Sequence, residues 1–489
     1  MPPRSRLAAA ALTLVLALVL AGTAAAAPPR APSVADHARG ATALRDVDPG
    51  RTVTVSIGLR HDARGVARRL HRGSGTRASL AAIIRRHGAT DADIRAIRAW
   101  ARAHGLRATP GRLRTRVIVS GPARRMASAL GVRLRHYRAR SGRSYVAATA
   151  PIRVPAPISG PATGVAGLHH VAQPVGPSPR AAGGTGSPSP VPAPAPAPPQ
   201  GESVLAGCAT GVAMDLRESG QGTPTTPFGV AQAYGFDGIG AGATYPAQSI
   251  AVLEIGQNYT PSDVARFQAE CRFSKGSVTV RQVNLPGAPT LEGTVGNGEA
   301  DLDAQWLAAL APAGTQVVVI NVNPASPTWI LDFMEQASAV PNLTAVSISY
   351  DASEVQSAAA ATSPPDFYRQ FEAAVQMVAA AGLTIVVASG DQGSMGPPRT
   401  ACPTWFPTYG LPGQASVNWL AASPGATAVG GTMWPGYVRP AQETVWSQSA
   451  SAPPAVFACG AAGGGGGQSV VSDRPAWQAT AGASIPGTK

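Results

Sequence analysis

Proline and glycine crowd residues 173–204 so densely, in GPSPRAAGGTGSPSPVPAPAPAPPQG, that no core can form there. The chain must therefore fold as separate units on either side of an extended, protease-accessible segment. The two sides differ in chemistry. Residues 28–172 hold 27 Arg and 6 Asp with neither Lys nor Glu, a net +21. Residues 201–489 hold 10 Lys plus Arg against 20 Asp plus Glu, a net −10. Opposite charge on two tethered units predicts an intramolecular contact between them. Nucleic-acid binding is the rival use of so basic a segment. Only Trp100, Tyr137 and Tyr145 could stack on bases there, and no nucleic-acid motif is present, so no nucleic-acid partner is expected.

The amino terminus places Arg4 and Arg6 before an apolar run from Leu7 to Ala21, followed by GTAAAAPP. This is the pattern of a secretory signal peptide, residues 1–27. The run is shorter than the ~20 residues a membrane span needs, so a secreted, extracellular protein without a stable span is expected. Four cysteines, Cys208, Cys271, Cys402 and Cys459, permit two disulfides in an exported chain, and the sequence does not choose among the three pairings. Their spacing matches no zinc motif.

Periodicity divides the fold class in the same way. In RTVTVSIGLRH (51–61), Val53, Val55, Ile57 and Leu59 alternate, as in a half-buried strand. Helical patterns follow over 79–88 and over 90–106, where Thr90 is placed to cap. A strand at 114–121, a helix at 122–132 opened by Pro122, and a strand pair in RLRHY and SYVAAT complete a small α+β (ferredoxin-like) unit over 28–172. In residues 205–489, apolar β-branched runs recur at 249–256, 278–285, 315–324, 343–351 and 383–391. Helical patterns lie at 261–271, 298–311, 329–339 and 366–382. That alternation predicts a buried, largely parallel α/β sheet with helices on both faces, its ligand sites at the carboxyl ends of the strands.

All eight histidines precede residue 171. Any chemistry in the acidic unit must therefore proceed without imidazole, which excludes a Ser-His-Asp triad and a His-ligated zinc there. What remains is carboxylate. In GNGEADLDAQW (296–306), Asn297 can cap a helix whose first turn carries Glu299, Asp301 and Asp303. Glu299 and Asp303 are i and i+4 and share a face, while Asp301 points elsewhere and reads as helix-dipole decoration. Two carboxylates on one face repel, raise a pKa and can hold one proton between them. Asp391, in VVASGDQGS at the end of an apolar run, could donate a hydrogen bond to a developing oxyanion once protonated.

With these residues in view, the acidic unit resembles the sedolisin family of serine-carboxyl peptidases, particularly its kumamolisin-like branch. The segments that carry the resemblance occur in order: TPFGVAQAYGF, IAVLEIG, GEADLD, VSISY, ASGDQGS, SPGATAVGGTMW with ETVW, and GGGGGQSVVSDRPAWQ. The resemblance implies a subtilisin-like fold and hydrolysis of protein or peptide substrates at acid pH. It also implies that Glu299 is the general base, Asp303 its partner and Asp391 the oxyanion donor. Glu254 and Tyr350 would extend the hydrogen-bond network, although many relatives carry Trp where this chain has Tyr350. The basic unit resembles the family's activation prosegment, making the chain a zymogen.

The family's nucleophilic serine lies in a late Gly-Thr-Ser-Ala motif that this sequence does not contain. GGTMW (430–434) is the earlier structural segment, and Ser469 aligns with the glycine-rich strand rather than with the nucleophile. The match stops at SIPGTK, so a carboxy-terminally truncated, inactive chain is expected. The calcium that the family binds would use ligands in that same late section. The alternative is a non-catalytic pseudopeptidase or binding protein that works through its basic half.

Overall fold

The structure, a computed structural model, describes residues 41–71, 78–138, 144–168, 245–271, 276–290, 298–352, 365–391, 417–433, 443–448, 462–469 and 471–475, with single residues between them. The signal peptide, the 173–204 segment, TPFGVAQAYGF apart from a few residues, Asn297, Cys208, Cys402 and Cys459 lie outside the described residues.

The amino-terminal unit runs β1 (Thr42–Asp46), β2 (Thr52–Leu59), α1 (Ala63–His71), α2 (Leu80–His87), α3 (Asp91–Ala103), β3 (Arg107–Pro110), β4 (Arg116–Pro122), α4 (Ala123–Leu130), β5 (Leu134–Arg138), β6 (Ser144–Ala148) and β7 (Ala162–Ala166). Thr90 caps α3 in a full capping box with Asp93, and Gly131, at φ 65°, ends α4. Four strands form an antiparallel sheet in the order β3-β4-β2-β7, the order of a split β-α-β ferredoxin-like unit, while β1, β5 and β6 form a separate sheet. Val53, Val55, Ile57 and Leu59 do share one face of β2. They pack with Ile94, Ile97 and Trp100 of α3 and Met126 of α4 into one core.

The second unit runs β8 (Ser249–Ile255), α5 (Pro261–Cys271), β9 (Thr279–Asn284), α6 (Gly298–Leu310), β10 (Gln316–Val322), α7 (Trp329–Ala337), β11 (Leu343–Ile348), α8 (Pro365–Ala380), β12 (Thr384–Ala388) and β13 (Thr427–Val429). Its six strands are all parallel, in the order β13-β12-β11-β8-β10-β9. Side-chain alternation divides the core. Val252, Val317 and Val319 pack with Ala300, Ala304 and Ala308 of α6. Ala251, Leu253, Val318, Ile320, Val346 and Ile348 face the opposite side, with Trp329 and Phe333 of α7 and Phe367 and Phe371 of α8. Helices therefore cover both faces, as continuous apolar strands require.

The two units share one core. Val66, Ile83, Leu113 and Ala166 of the first belong to the same apolar cluster as α7 and α8. Across this surface, Arg116 bridges α7, its Nη2 lying 2.9 Å from Asp332 and its Nε 3.3 Å from Glu335. Leu113 N–H donates to Glu335 and Val165 N–H donates to Asp366. Arg69 Nε donates to the carbonyl of Ala380 at the end of α8, a favourable place for a cation. The contact anticipated from net charge thus exists, but its physical basis is different. Apolar packing and a few directed bonds make it, and Arg116 is its one buried arginine among the described residues.

Candidate active site

The period of a strand explains how carboxyl groups reach one edge of the sheet. In β8 the residues alternate, so Glu254 faces α6 together with Val252, on the side opposite Leu253. In β11, Val346 and Ile348 face α8, which turns Ser347 and Ser349 toward α6. Alanines at 300, 304 and 308, each fully buried, bring α6 close to the sheet. That approach carries Glu299, Asp303 and the first turn of α6 to the carboxyl ends of β8 and β11. The first turn starts at Gly298, and the first-turn acids are Glu299 and Asp301.

The geometry is specific. Ser349 Oγ donates to Asp303 Oδ2 at 2.7 Å, and Tyr350 Oη donates to Glu254 Oε2 at 2.8 Å. Ile255 N–H donates to Tyr350 Oη in turn. Glu254 is fully buried, and its Oε1 has no partner among the described residues. Asp301 is not decoration: it accepts from Thr260 N–H at 2.5 Å and from Thr260 Oγ1 at 3.1 Å, tying α6 to the start of α5. Local sequence could not show this, because the Thr260 donor lies forty-one positions earlier in the chain.

Asp391 follows β12 in a loop held by its neighbours. Gly390 adopts φ +107°, and the glycine run reaches this loop as backbone. Gly465 N–H donates to the carbonyl of Gly390 at 2.8 Å, and Gly463 N–H to the carbonyl of Asp391 at 2.9 Å. A Cβ on Gly465 would lie 2.1 Å from the carbonyl oxygen of Ser389, so only glycine fits there. Asn418, also buried, donates to the carbonyls of Tyr350 (2.9 Å) and Ala388 (2.7 Å), fastening the ends of β11 and β12 together. Sequence reasoning passed over Ser349, Asn418 and Asp351. Only Ser349 carried a signal, its alternation with Val346 and Ile348.

The electrostatics follow from crowding and burial. Burial first, then Asp303 and Asp391, push Glu299 up to about 8, against the Ser349 hydrogen bond, which lowers it. Burial pushes Asp303 up to about 6, again opposed by Ser349. Burial raises Asp391, and burial with the charge of Asp303 lifts Glu254 well above the carboxylate range. Asp351 is pushed up to about 7 by burial and then by Asp391. Burial raises all five groups, and Glu299 keeps its proton at neutral pH, so the cluster can take up or donate a proton without imidazole.

Ser469 and the GGTMW segment both have structural partners. Ser469 Oγ donates to buried Glu354 and accepts from Val471 and Ser472 N–H, so its lone pairs hold a turn. Met433 pairs with Thr444 in a two-stranded ladder. Cys271 closes α5 and is disulfide-bonded, to a partner outside the described residues. Among the described residues no group of three or more His, Cys, Asp or Glu could hold a metal ion, and no helix is long and apolar enough to cross a membrane.

Comparison with known proteins finds a family match in the first unit. Residues 39–171 match the family described as Pro-kumamolisin, activation domain. Among solved structures, the chain is similar to Pseudomonas sedolisin, a serine-carboxyl proteinase, complexed with two molecules of pseudo-iodotyrostatin. The identity is 23%, over 54% of this chain and 67% of that one, with a TM-score of 0.40. No curated protein matches the chain.

Proposed function

We propose that this chain is the zymogen form of an exported, acid-acting serine-carboxyl peptidase whose amino-terminal unit is its activation prosegment. Glu299 takes the proton of the nucleophile, Asp303 is its partner, and protonated Asp391 donates a hydrogen bond to the oxyanion of the tetrahedral intermediate. Tyr350 and Glu254, hydrogen-bonded to each other at 2.8 Å, extend the carboxyl network. One observation supports this most directly: Glu299, Asp303 and Asp391 interact at the carboxyl edge of a parallel sheet, in a unit with no histidine. The raised Asp391 suits acid operation, since that carboxyl must be protonated to donate. No step is routed through calcium, for which the described residues offer no ligand set.

The nucleophile is the missing part, because the sequence contains no Gly-Thr-Ser-Ala motif. The test is autoprocessing by protein expressed from the reading frame extended past Lys489. Cleavage between residues 173 and 205 is expected below about pH 5, where carboxyls titrate. Glu299→Gln abolishes it; an unchanged rate in that variant removes Glu299 from the mechanism. If the extended frame contains no such serine motif, the non-catalytic reading takes its place. That second reading draws on Arg95, Arg98 and Arg102, exposed on the outer face of α3, away from α8.

A further inference from the structure

Arg116 and Arg69 bond across the contact between the two units, and Arg116 alone among the described arginines is buried. Most of the positive charge of the first unit therefore stays on its surface. Alternation in β2 sends Val55, Ile57 and Leu59 toward α3 and α4, and Ser56 toward Gln370 of α8. The helix α3 thus lies on the face of the sheet turned away from the acidic unit.

On α3, Ile94, Ile97, Trp100 and Ala101 are buried, whereas Arg95, Arg98 and Arg102 are exposed. At 3.6 residues per turn, positions i, i+3 and i+7 fall within about 60° of arc, opposite the buried side. Arg125 of α4 extends the row, its Nη1 donating at 3.0 Å to the carbonyl of Gly105, just beyond the end of α3. The acids of α3 sit in its first turn with partners of their own. Asp91 pairs with Arg114 at 2.5 Å, and Asp93 closes the capping box with Thr90. Elsewhere in the unit, Asp46 pairs with Arg133 and Arg135, Asp48 accepts from Gly50 N–H, and Asp62 pairs with His87.

We propose that the arginine row of α3 docks the amino-terminal unit on an anionic phospholipid surface, with the second unit held on the far side. The row belongs to the first unit, so the docking holds whether or not the second unit is a peptidase. Guanidinium groups suit phosphate headgroups because each can form two parallel N–H bonds to one phosphate. A nucleic acid would also need side chains for its bases to stack on. Trp100 and Tyr137 are buried, and Tyr145 is already stacked on Tyr137 at 5.6 Å. Orientation follows from charge. The second unit, at net −10, is repelled by the same surface, but it stands behind a helix and a sheet, about 20 Å away. The Debye length in physiological salt is about 8 Å, so that repulsion is screened while arginines in contact are not. Among the described residues no helix is long and apolar enough to cross a membrane, and the attachment drawn from α3 is peripheral and reversed by salt.

The experiment is co-sedimentation of residues 28–489, the form that removal of the signal leaves, with vesicles of phosphatidylcholine alone or mixed with phosphatidylglycerol. Binding is expected only to the mixed vesicles, falling steeply as salt is added. Arg95→Gln, Arg98→Gln and Arg102→Gln together lower partitioning roughly fivefold per residue, on the order of 100-fold in all. Lys at the same three positions keeps most of the binding, as charge requires. Arg64→Gln, Arg68→Gln and Arg85→Gln make an equal change in net charge at exposed sites on α1 and α2, which pack on α8 beside the acidic unit. That variant is expected to lose less than about tenfold. Equal loss in the two glutamine variants overturns the surface, because bulk charge then explains the binding. Equal binding to both kinds of vesicle overturns it as well. Tighter binding to duplex DNA at equal phosphate, lost in the α3 glutamine variant, assigns the row to nucleic acid and overturns the lipid. The assay requires no turnover, so its failure leaves the role of Glu299, tested by autoprocessing, untouched.

Discussion

Ser56, in β2 of the amino-terminal sheet, and Gln370, on α8 of the second unit, exchange two hydrogen bonds. Ser56 Oγ donates to Gln370 Oε1 at 2.5 Å, and Gln370 Nε2 donates to the Ser56 carbonyl at 3.3 Å. Both residues are buried. A satisfied polar pair inside an apolar contact adds little net energy but specifies orientation, because any shifted docking leaves donors unpaired.

Gln370→Leu should therefore loosen the contact while leaving each unit folded. Losing the partner of a buried hydroxyl costs about 1–3 kcal/mol. Hydrogen exchange at the Val165 amide, which donates to Asp366 across the same surface, is expected to accelerate roughly tenfold or more, while amides within α3 are unchanged. Unchanged exchange at Val165 would show that the pair orients nothing.

Glycine at 164 is required by proximity rather than by backbone angle. A Cβ there would lie 2.1 Å from Asp366 Cγ. Gly164→Val is expected to displace β7 from α8 and weaken attachment by about 1–3 kcal/mol. The core of the amino-terminal unit, on the opposite face of that sheet, stays intact. Faster exchange at both Val165 and Leu113, with β2–β4 amides still protected, is the expected pattern.

Arg116 is nearly inaccessible and paired with two carboxylates of α7. Arg116→Ala takes the buried cation from Asp332 and Glu335, which keep their bonds from Ser326, Thr328 and Leu113, a change expected to cost about 1–3 kcal/mol. Arg116→Lys recovers only part, since a point charge cannot reach both acids in fork geometry. Proteolysis of the full chain at neutral pH measures this: Ala cuts fastest, Lys intermediate, wild type slowest.

The pH dependence of stability has a definite sign. Glu299 and Asp303 titrate near 8 and 6 in the folded chain, above the ~4 of unfolded carboxyls. The native state therefore holds more protons between about pH 4 and pH 8, and stability falls as pH rises through that window. Glu299→Gln removes the share that Glu299 contributes. Its Tm should match wild type near pH 4 and exceed it at pH 8, by on the order of 2–4 kcal/mol of stability. Parallel melting curves for the two proteins at every pH would exclude Glu299 as the source.

Asp301→Ala separates the tether from the proton chemistry. It leaves Thr260 N–H, at the start of α5, without its acceptor, and is expected to cost about 1–2 kcal/mol. The cost should persist at pH 4, where Glu299→Gln and wild type coincide. A Tm difference that closes at low pH would place Asp301 in the proton-sharing group after all.

Much of the architecture was legible locally. Alternation at Val53, Val55, Ile57 and Leu59 identified the buried face of β2, Thr90 marked the start of α3, and the β-branched runs announced a parallel sheet. Such patterns are local because strand and helix periods are properties of the backbone. The absence of histidine after residue 170 also belonged to the sequence alone, and it limited the chemistry to carboxyl groups. Tertiary structure decided the rest. It placed Gln370 over the second face of β2, which periodicity leaves to solvent. It gave Asp301 a partner, Thr260, at the start of α5 and brought Ser349 against Asp303. Each of these depends on strand order and helix docking, which bring together residues tens or hundreds of positions apart, and no local period records such a meeting.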